Sequence, residues 1–321
     1  MSVLGTILTV FLSCAPHPPD TLRGMFWNLE NFFDWRNDST TVSDAEFSSK
    51  GARHWTRKRF DAKCNAIAKT ILWAASQEGE LPDFIGLAEV ENAFVLRRLL
   101  QSNALRKLDY QYIHFESPDK RGIDVALLYR TSRLRLQHAK PNHLYDADST
   151  VMATRDILSA TFVTPSGGQL ALLVNHHPSK FGGAAVSEPR RRIAVVRLRQ
   201  LADSLRQAGF GNIVAMGDMN DGPDNPVYHL LDSALINLAA PLAQKGEGTI
   251  RYAGTWELID VFFVSSEMEA SAIMKILRIP FLTTRDGTFG GEKPLRTYSG
   301  PRYLGGVSDH CPIWLQFHIN P

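Results

Sequence analysis

The sequence predicts an α/β (α+β) fold: a four-layer sandwich in which two mixed β-sheets pack face to face between outer helices. Three observations carry this expectation. Short apolar runs alternate with stretches of helical period along the whole chain. Strand-like runs stand near both termini, and hairpin-like pairs fill the middle, which a simple βαβ repeat does not produce. The helical stretches have one apolar face each, so they belong on the outside of sheets.

Taken in order, residues 22–28 (LRGMFWN) read as the first strand. Residues 57–76 read as a helix, with Phe60, Cys64, Ile67, Ala68 and Ile71 at helical spacing. A second strand covers 83–90 (DFIGLAEV), and residues 95–108 are again helical. Strands follow at 123–130, 157–163 and 170–175. Residues 187–207 form a strongly amphipathic helix that turns Ile193, Val196, Leu198 and Leu201 inward. The last strands are 212–218, 260–265 and 311–317. Residues 281–305, rich in Gly, Arg and Thr, read as one long loop close to the final motif, where loops often carry specificity. With no linker, repeat or low-complexity tract, residues 21–321 are expected to form a single catalytic domain.

The bulk numbers allow such a domain and say little about partners. The 321 residues are 44% hydrophobic and 21% charged, and the net charge of +2 provides no global field toward nucleic acid or membrane. Two local basic clusters stand out: Lys50, Arg53, Arg57, Lys58, Arg59 and Lys63, and Arg190, Arg191, Arg192, Arg197 and Arg199. Each is either a solvated helix face or a rim that holds phosphates. Residues 1–20 differ from the rest. Val3 to Leu12 is an apolar run too short to span a bilayer, followed by Ser13-Cys14 and a Pro-rich segment. This reads as a bacterial lipoprotein signal with Cys14 as the lipidated residue, and so as a secreted or envelope-anchored protein. The alternative is a cytoplasmic protein whose first strand is buried. Cys64 and Cys311 then remain as two buried thiols rather than a disulfide.

Polar clusters sit at the tips of the apolar runs: WNLENF at 27–32, LAEVEN at 87–92, NHHPS at 175–179, MGDMND at 216–221, LIDVFFV at 258–264 and VSDHCP at 307–312. Acids, amides and histidines delivered from the ends of separate strands are how a buried sheet builds one catalytic centre. Glu89 ends a run too apolar for an unpartnered carboxylate, so it is expected to be ionised against a cation. Magnesium prefers such hard oxygen ligands and needs only one or two carboxylates. Asp218 and Asn220 are two apart, which lets both side chains leave an extended segment on one face. His176 and His177 are neighbours and on a strand face opposite ways. No Cys or His set with finger-like spacing accompanies them, which argues against zinc. Ser308 lacks the Gly-x-Ser-x-Gly elbow of a serine nucleophile.

These six clusters, in this order from about residue 22 to 318, resemble the endonuclease/exonuclease/phosphatase superfamily, whose fold is that of deoxyribonuclease I. The resemblance implies hydrolysis of a phosphoester by water with one or two divalent metals, Mg2+ or Mn2+. It implies that Glu89 is the principal metal ligand, helped by Glu30 and Asp309. Asp218 would orient or deprotonate water, Asn220 would donate to a phosphoryl oxygen, and Asn28 would position the nucleophile side. His176 matches the family histidine that approaches the scissile phosphate, leaving His177 as packing or rim. Asp260 resembles the acid that pairs with His310, and Asp124 is the candidate orienter of His176. Arg155 resembles an arginine near a phosphate-contacting strand, with Arg121 in a similar role, since an Arg fork suits a phosphate.

Three readings follow. The first is a metal-dependent endonuclease acting on nucleic acid, with Trp27, Trp35, Trp55 and Trp256 either packing or stacking on bases. The second is the same chemistry on a small phosphoester or a phospholipid head group, such as an inositol phosphate or sphingomyelin. The third, a non-catalytic binding protein on the same scaffold, would need the loss of residues that are all present. No stable protein partner is implied, and the chain is expected to be a monomer.

Overall fold

The computed structural model describes residues 20–37 and 41–319, so the N-terminal run and Cys14 lie outside the described residues. The first sheet opens with β1 (Asp20–Phe32). Helices α1 (Val42–Glu46) and α2 (Arg57–Glu78) then lead to β2 (Phe84–Val90). Helix α3 (Ala93–Leu100) precedes β3 (Tyr110–His114) and β4 (Asp124–Arg130). The second sheet takes β5 (Arg135–Asn142), β6 (Ile157–Val163), β7 (Gln169–His176), β8 (Ile213–Asp218) and β9 (Ile236–Asn237), with α4 (Ala184–Gln207) crossing between β7 and β8. A short α5 (Ala240–Ala243) and the hairpin β10 (Ile250–Tyr252)–β11 (Thr255–Glu257) come before β12 (Asp260–Val264). The chain returns to the first sheet in β13 (Ile273–Ile276). Two small hairpins, β14 (Thr283–Arg285) with β15 (Glu292–Pro294) and β16 (Tyr298–Ser299) with β17 (Arg302–Tyr303), precede the last strand, β18 (Ile313–Ile319).

Each large sheet has six strands, in the orders β13-β18-β1-β2-β4-β3 and β5-β6-β7-β8-β12-β9. Each contains one parallel pair, β1 with β2 and β7 with β8, among antiparallel neighbours. A parallel pair needs a long crossover, and α2 and α4 supply the two. The expected four layers are therefore present: α2 and α3, the first sheet, the second sheet, and α4.

Side-chain alternation divides the first sheet between two cores. Phe26, Phe84, Ala88, Val125 and Leu127 face the second sheet, where Leu172, Met216 and Phe262 meet them. Met25, Trp27, Ile85, Leu87, Ala126 and Leu128 point the other way, onto Phe60, Ile67 and Ile71 of α2. Each large apolar side chain buried this way contributes about 2 kcal/mol, and that burial on both faces explains the continuous apolar strands in the sequence. Helix α2 begins where Thr56 accepts from the Arg59 amide, and it ends at Gly79 with φ 85°. No helix among the described residues is long and apolar enough to cross a membrane.

Four strands of the two large sheets escaped the sequence reading: β3, β5, β9 and β13. All are sheet edges or next to one, and β5 is mostly exposed, so the apolar alternation that marks a strand is absent there. The helix expected over 95–108 ends at Leu100, because Ser102 and Asn103 favour turns. The expected loop at 281–305 holds both small hairpins instead.

Candidate active site

The two parallel pairs end on the same side of the sandwich, and their C-terminal ends carry the polar clusters. Asn28 and Glu30 leave β1, Glu89 leaves β2, His176 ends β7 and Asp218 ends β8. Antiparallel neighbours contribute their opposite ends: Asp260 starts β12, and Ser308 to His310 precede β18. All of these except Asp260 and Ser308 border an open cleft of about 550 Å3, whose far wall is built by the β10–β11 and β14–β15 hairpins.

The strand ends are bent into place. Glu30, Asn31, Glu89 and Asn220 all have φ between 48° and 60°, in the left-handed region that side-chain-bearing residues seldom occupy. All four line the cleft. The β1–β2 and β2–β4 ladders shift register at Asn28/Phe32 and at Ala88/Val90. Such bulges re-aim a side chain that strict alternation would send into a core, and here they turn Glu30 and Glu89 into the cleft. Strain of this kind persists where the surroundings over-determine it, which is typical of functional sites.

On the second sheet the geometry depends on a glycine. A Cβ at Gly217 would stand 2.4 Å from the Asn175 carbonyl oxygen, so only glycine lets β7 and β8 approach this closely. The register then sets His176 beside Asp218. Asp218 Oδ2 lies 3.7 Å from His176 Nε2 and 3.8 Å from His310 Nε2. The same oxygen accepts from Asn28 Nδ2 at 3.0 Å, and Oδ1 accepts from the Asn220 amide at 2.9 Å. His310 is oriented from behind, with Nδ1 2.8 Å from Asp260 Oδ2. Ser308, set aside as a nucleophile, is a latch: its hydroxyl donates to the Asn28 carbonyl and accepts from the His310 amide.

Burial and neighbouring charge move these groups apart electrically. Burial and the adjacent Asp260 push Asp218 up to about 7, although His310 and the bond from Asn28 pull the other way. Burial opposes the charged form of His310, but Asp260, Asp218 and Asp309 outweigh it and raise its pKa well above 6.5. His176 goes the opposite way. Burial, with Arg155 and Arg121 nearby, lowers it well below 6.5, so its ring is neutral. One site therefore holds a charged histidine, a neutral histidine and a carboxylate that titrates near neutrality.

The three acids expected to bind metal are held differently. Glu89 Oε2 accepts from the Asn31 amide at 2.7 Å and lies 3.4 Å from Arg121 Nη2. Glu30 uses both oxygens, Oε1 with Arg296 Nε at 3.0 Å and Oε2 with the Thr297 amide at 2.7 Å. Arg296 also reaches Asp309, Nη2 to Oδ2 at 2.9 Å. Burial and the repulsion of Asp309 raise Glu30 to about 7, and burial lowers Lys63, which donates to the Glu30 carbonyl, to about 8. The carboxylate of Glu89, set by a backbone amide and turned into the cleft, fits a hard divalent ion such as Mg2+ or Mn2+. Among the described residues, the acid and histidine groups whose ligand atoms all lie within 4.8 Å are Asp218/Asp260/His310 and His114/Glu116/Asp124.

Of the residues singled out from the sequence, Asn28, Glu30, Glu89, Arg121, His176, Asp218, Asn220, Asp309 and His310 all border the cleft. Asp260 stands behind His310. Two assignments need correction. Asp124 does not orient His176: its carboxylate is 3.1 Å from His114 Nε2 and accepts from the Ser117 amide at 2.9 Å. Asp124 lies one strand beyond β2, on the other sheet from His176. Arg155 is not available to a substrate phosphate. It is buried, donating to Asp119 Oδ2 at 3.0 Å and to the His177 carbonyl at 2.6 Å, and so anchors the loop that carries Arg121. His177 is buried behind the cleft, as packing. Trp27 and Trp55 are fully buried, each donating its indole to a backbone carbonyl, and cannot stack on a base. Both basic clusters are partly internal: Lys63 is buried, and buried Arg191 pairs with Asp221. The sequence reading missed Arg296, Tyr252, Arg251 and Lys293 on the far wall. The Arg and Gly content of 281–305 marked the segment that holds Lys293 and Arg296, but not β10 with Arg251 and Tyr252, and a loop has no period from which to pick out a residue.

Residues 24–319 match the sequence profile of the Endonuclease/Exonuclease/phosphatase family. A search of curated proteins finds no match. Among solved structures, the human Nocturnin catalytic domain with bound sulfate anion is 19% identical, with a TM-score of 0.59 over 94% of this chain and 98% of that one. A mannosyl-6-phosphatase from Bacteroides thetaiotaomicron is 16% identical, with a TM-score of 0.57 over 92% and 99%. TDP2 from D. rerio, complexed with single strand DNA product, is 16% identical, with a TM-score of 0.54 over 92% and 98%. At these identities the likeness is one of fold.

Proposed function

The chain belongs to the endonuclease/exonuclease/phosphatase family, and from that premise we propose that it is a divalent-metal-dependent phosphodiester hydrolase, an endonuclease acting on nucleic acid. The observation that supports this most is Asp218, held between His176 and His310 at the floor of an open cleft. The members of this family are typically phosphoester hydrolases that use divalent metals.

A bound ion, held by Glu89 beside the Arg296-paired Glu30 and Asp309, would supply Lewis-acid stabilisation of charge on the phosphoryl oxygens. The chain's own residues account for the rest. Asp218, titrating near neutrality, takes the proton of the attacking water. Asn28 and the Asn220 amide fix that carboxylate from two sides. His310, kept positive by Asp260, stabilises the charge that builds on the reacting phosphate. Neutral His176 offers a hydrogen bond without adding a second positive charge.

The far wall favours a nucleic acid. Tyr252 borders the cleft and is 71% exposed, with the half-exposed Lys293 on the same wall, while Arg251 is held by the Glu292 and Gly290 carbonyls. Phe181, 91% exposed, follows shortly after Ser179 at the cleft edge. Aromatic faces next to cations suit unstacked bases on a phosphate backbone. A small phosphoester is the second reading, because the cleft is also large enough for a single sugar phosphate or lipid head group, and one structural neighbour is named a mannosyl-6-phosphatase. The non-catalytic reading has no support in a cleft that presents Glu89, Asp218, Asn220, His176 and His310 together. We further propose a monomer tethered to the cell envelope through Cys14; mass spectrometry of the native protein retaining Met1 to Ser13 would exclude that tether.

The test is hydrolysis of plasmid DNA with Mg2+ or Mn2+, and then with chelator, beside Asp218→Asn. Metal-dependent nicking lost in the variant supports the nuclease. Its absence, with turnover of an inositol phosphate, sugar phosphate or phospholipid, moves the assignment to the second reading. Binding that weakens steeply with salt marks a polyanion, since each neutralised phosphate releases counterions.

A further inference from the structure

The acids of the cleft already have a cation among them. Arg296 spans two of the three, with Nε 3.0 Å from Glu30 and Nη2 2.9 Å from Asp309. Its backbone is fixed on both sides. The Leu295 amide donates to the Leu282 carbonyl, the Val307 amide to the Leu295 carbonyl, and the Thr297 amide to Glu30 Oε2. Gly306 packs so tightly against Leu295 that a Cβ there would overlap the Leu295 carbonyl. The guanidinium therefore sits on a rigid strap rather than on a free loop. Both oxygens of Glu30 are spent on protein donors. A divalent ion entering between Glu30 and Asp309 would meet a guanidinium and would have to displace these bonds. Glu89 also pairs with an arginine, but more loosely: Arg121 Nη2 lies 3.4 Å from its Oε2, and the shorter bond of that nitrogen, 2.6 Å, goes to the neutral side-chain amide oxygen of Asn31.

We propose that Arg296 is a resident counter-cation for Glu30 and Asp309, so that the cleft takes one divalent ion, centred on Glu89. The inference rests on the metal-dependent reading above but is read out without substrate.

Mn2+ titration of the full chain, followed by electron paramagnetic resonance of the free ion, counts bound equivalents. The wild type is expected to bind one, and Glu89→Gln to lose it. Arg296→Met keeps the length of the stem and removes the charge. It is expected to bind a second equivalent, or the first about tenfold tighter, the modest size reflecting a half-exposed guanidinium screened by solvent. Arg296→Lys keeps the charge and should stay at one equivalent. Circular dichroism and thermal melting confirm that each variant is folded. Two equivalents in the wild type, or Arg296→Met binding like the wild type, would overturn the inference. No binding by the wild type would instead overturn the metal-dependent reading itself.

Discussion

Asp218 and Asp260 stand directly opposite each other on antiparallel strands β8 and β12, and His310 is set against both. Its Nδ1 is 2.8 Å from Asp260, and its Nε2 is 3.8 Å from Asp218. Two buried carboxylates this close cannot both ionise easily, and the imidazolium is what lets them. The sheet register fixes the acids, while the loop before β18 delivers the histidine. The electrostatics of the candidate site thus depend on the two sheets meeting correctly.

Asp218→Asn keeps the shape and removes the proposed base. Turnover is expected to fall by between about a hundredfold and ten-thousandfold with the fold intact. In the wild type, kcat/KM should fall about tenfold for each pH unit below about 7, because protonation of Asp218 removes the base. A profile flat down to pH 5, or full activity in the variant, would remove Asp218 from this role.

Asp260→Asn removes the counter-ion of His310. The folded His310 holds its proton more tightly than the unfolded one, so its charge stabilises the fold fully below pH 6.5. That contribution is lost as the pH climbs through the higher folded value. In the variant, the His310 titration measured by NMR should move down, and the alkaline limb of the rate profile should move with it. An unshifted titration would mean that Asp260 does not set the charge.

Arg155→Met strands the buried Asp119 carboxylate. Urea denaturation should show a loss of about 3 to 5 kcal/mol, the usual cost of breaking a buried ion pair on one side. Adding Asp119→Asn, which removes the stranded charge, should recover part of it. A loss below about 1 kcal/mol, the scale of an exposed pair, would contradict the buried anchor.

Gly217→Ala places a methyl group against the Asn175 carbonyl, a backbone atom that cannot swing aside. The β7–β8 pair must separate, at a cost of about 3 kcal/mol, and His176 moves away from Asp218. Activity should drop more than stability alone explains. Gly167→Ala, at a turn with open space but φ 97°, is the control that strains backbone far from the cleft.

Much of this was legible in the sequence, for a definable reason. Strands buried on both faces are nearly all apolar, so the polar residues that end them stand out one strand at a time, as Asn28, Glu89, His176, Asp218 and Asp260 do. Helices α2 and α4 were legible through their period, but the inward face of α4 was misplaced in part: Leu198 and Leu201 are buried with Ala194 and Val195, Ile193 is half-buried, and Val196 is exposed. The edge strand β5 was not, because exposed positions carry no pattern.

What the chain by itself determined was the layer architecture and which side chains gather at the strand ends, since both follow from local periodicity and burial. Only the tertiary structure decided who pairs with whom. Asp124 went to His114, Arg155 to Asp119, and Arg296 to Glu30 and Asp309, across separations of 10, 36, 266 and 13 residues. A pairing between charged side chains depends on distances of a few ångströms set by strand register, bulges and loop anchoring. None of those quantities is written in residue spacing, because each arises only when the two sheets pack.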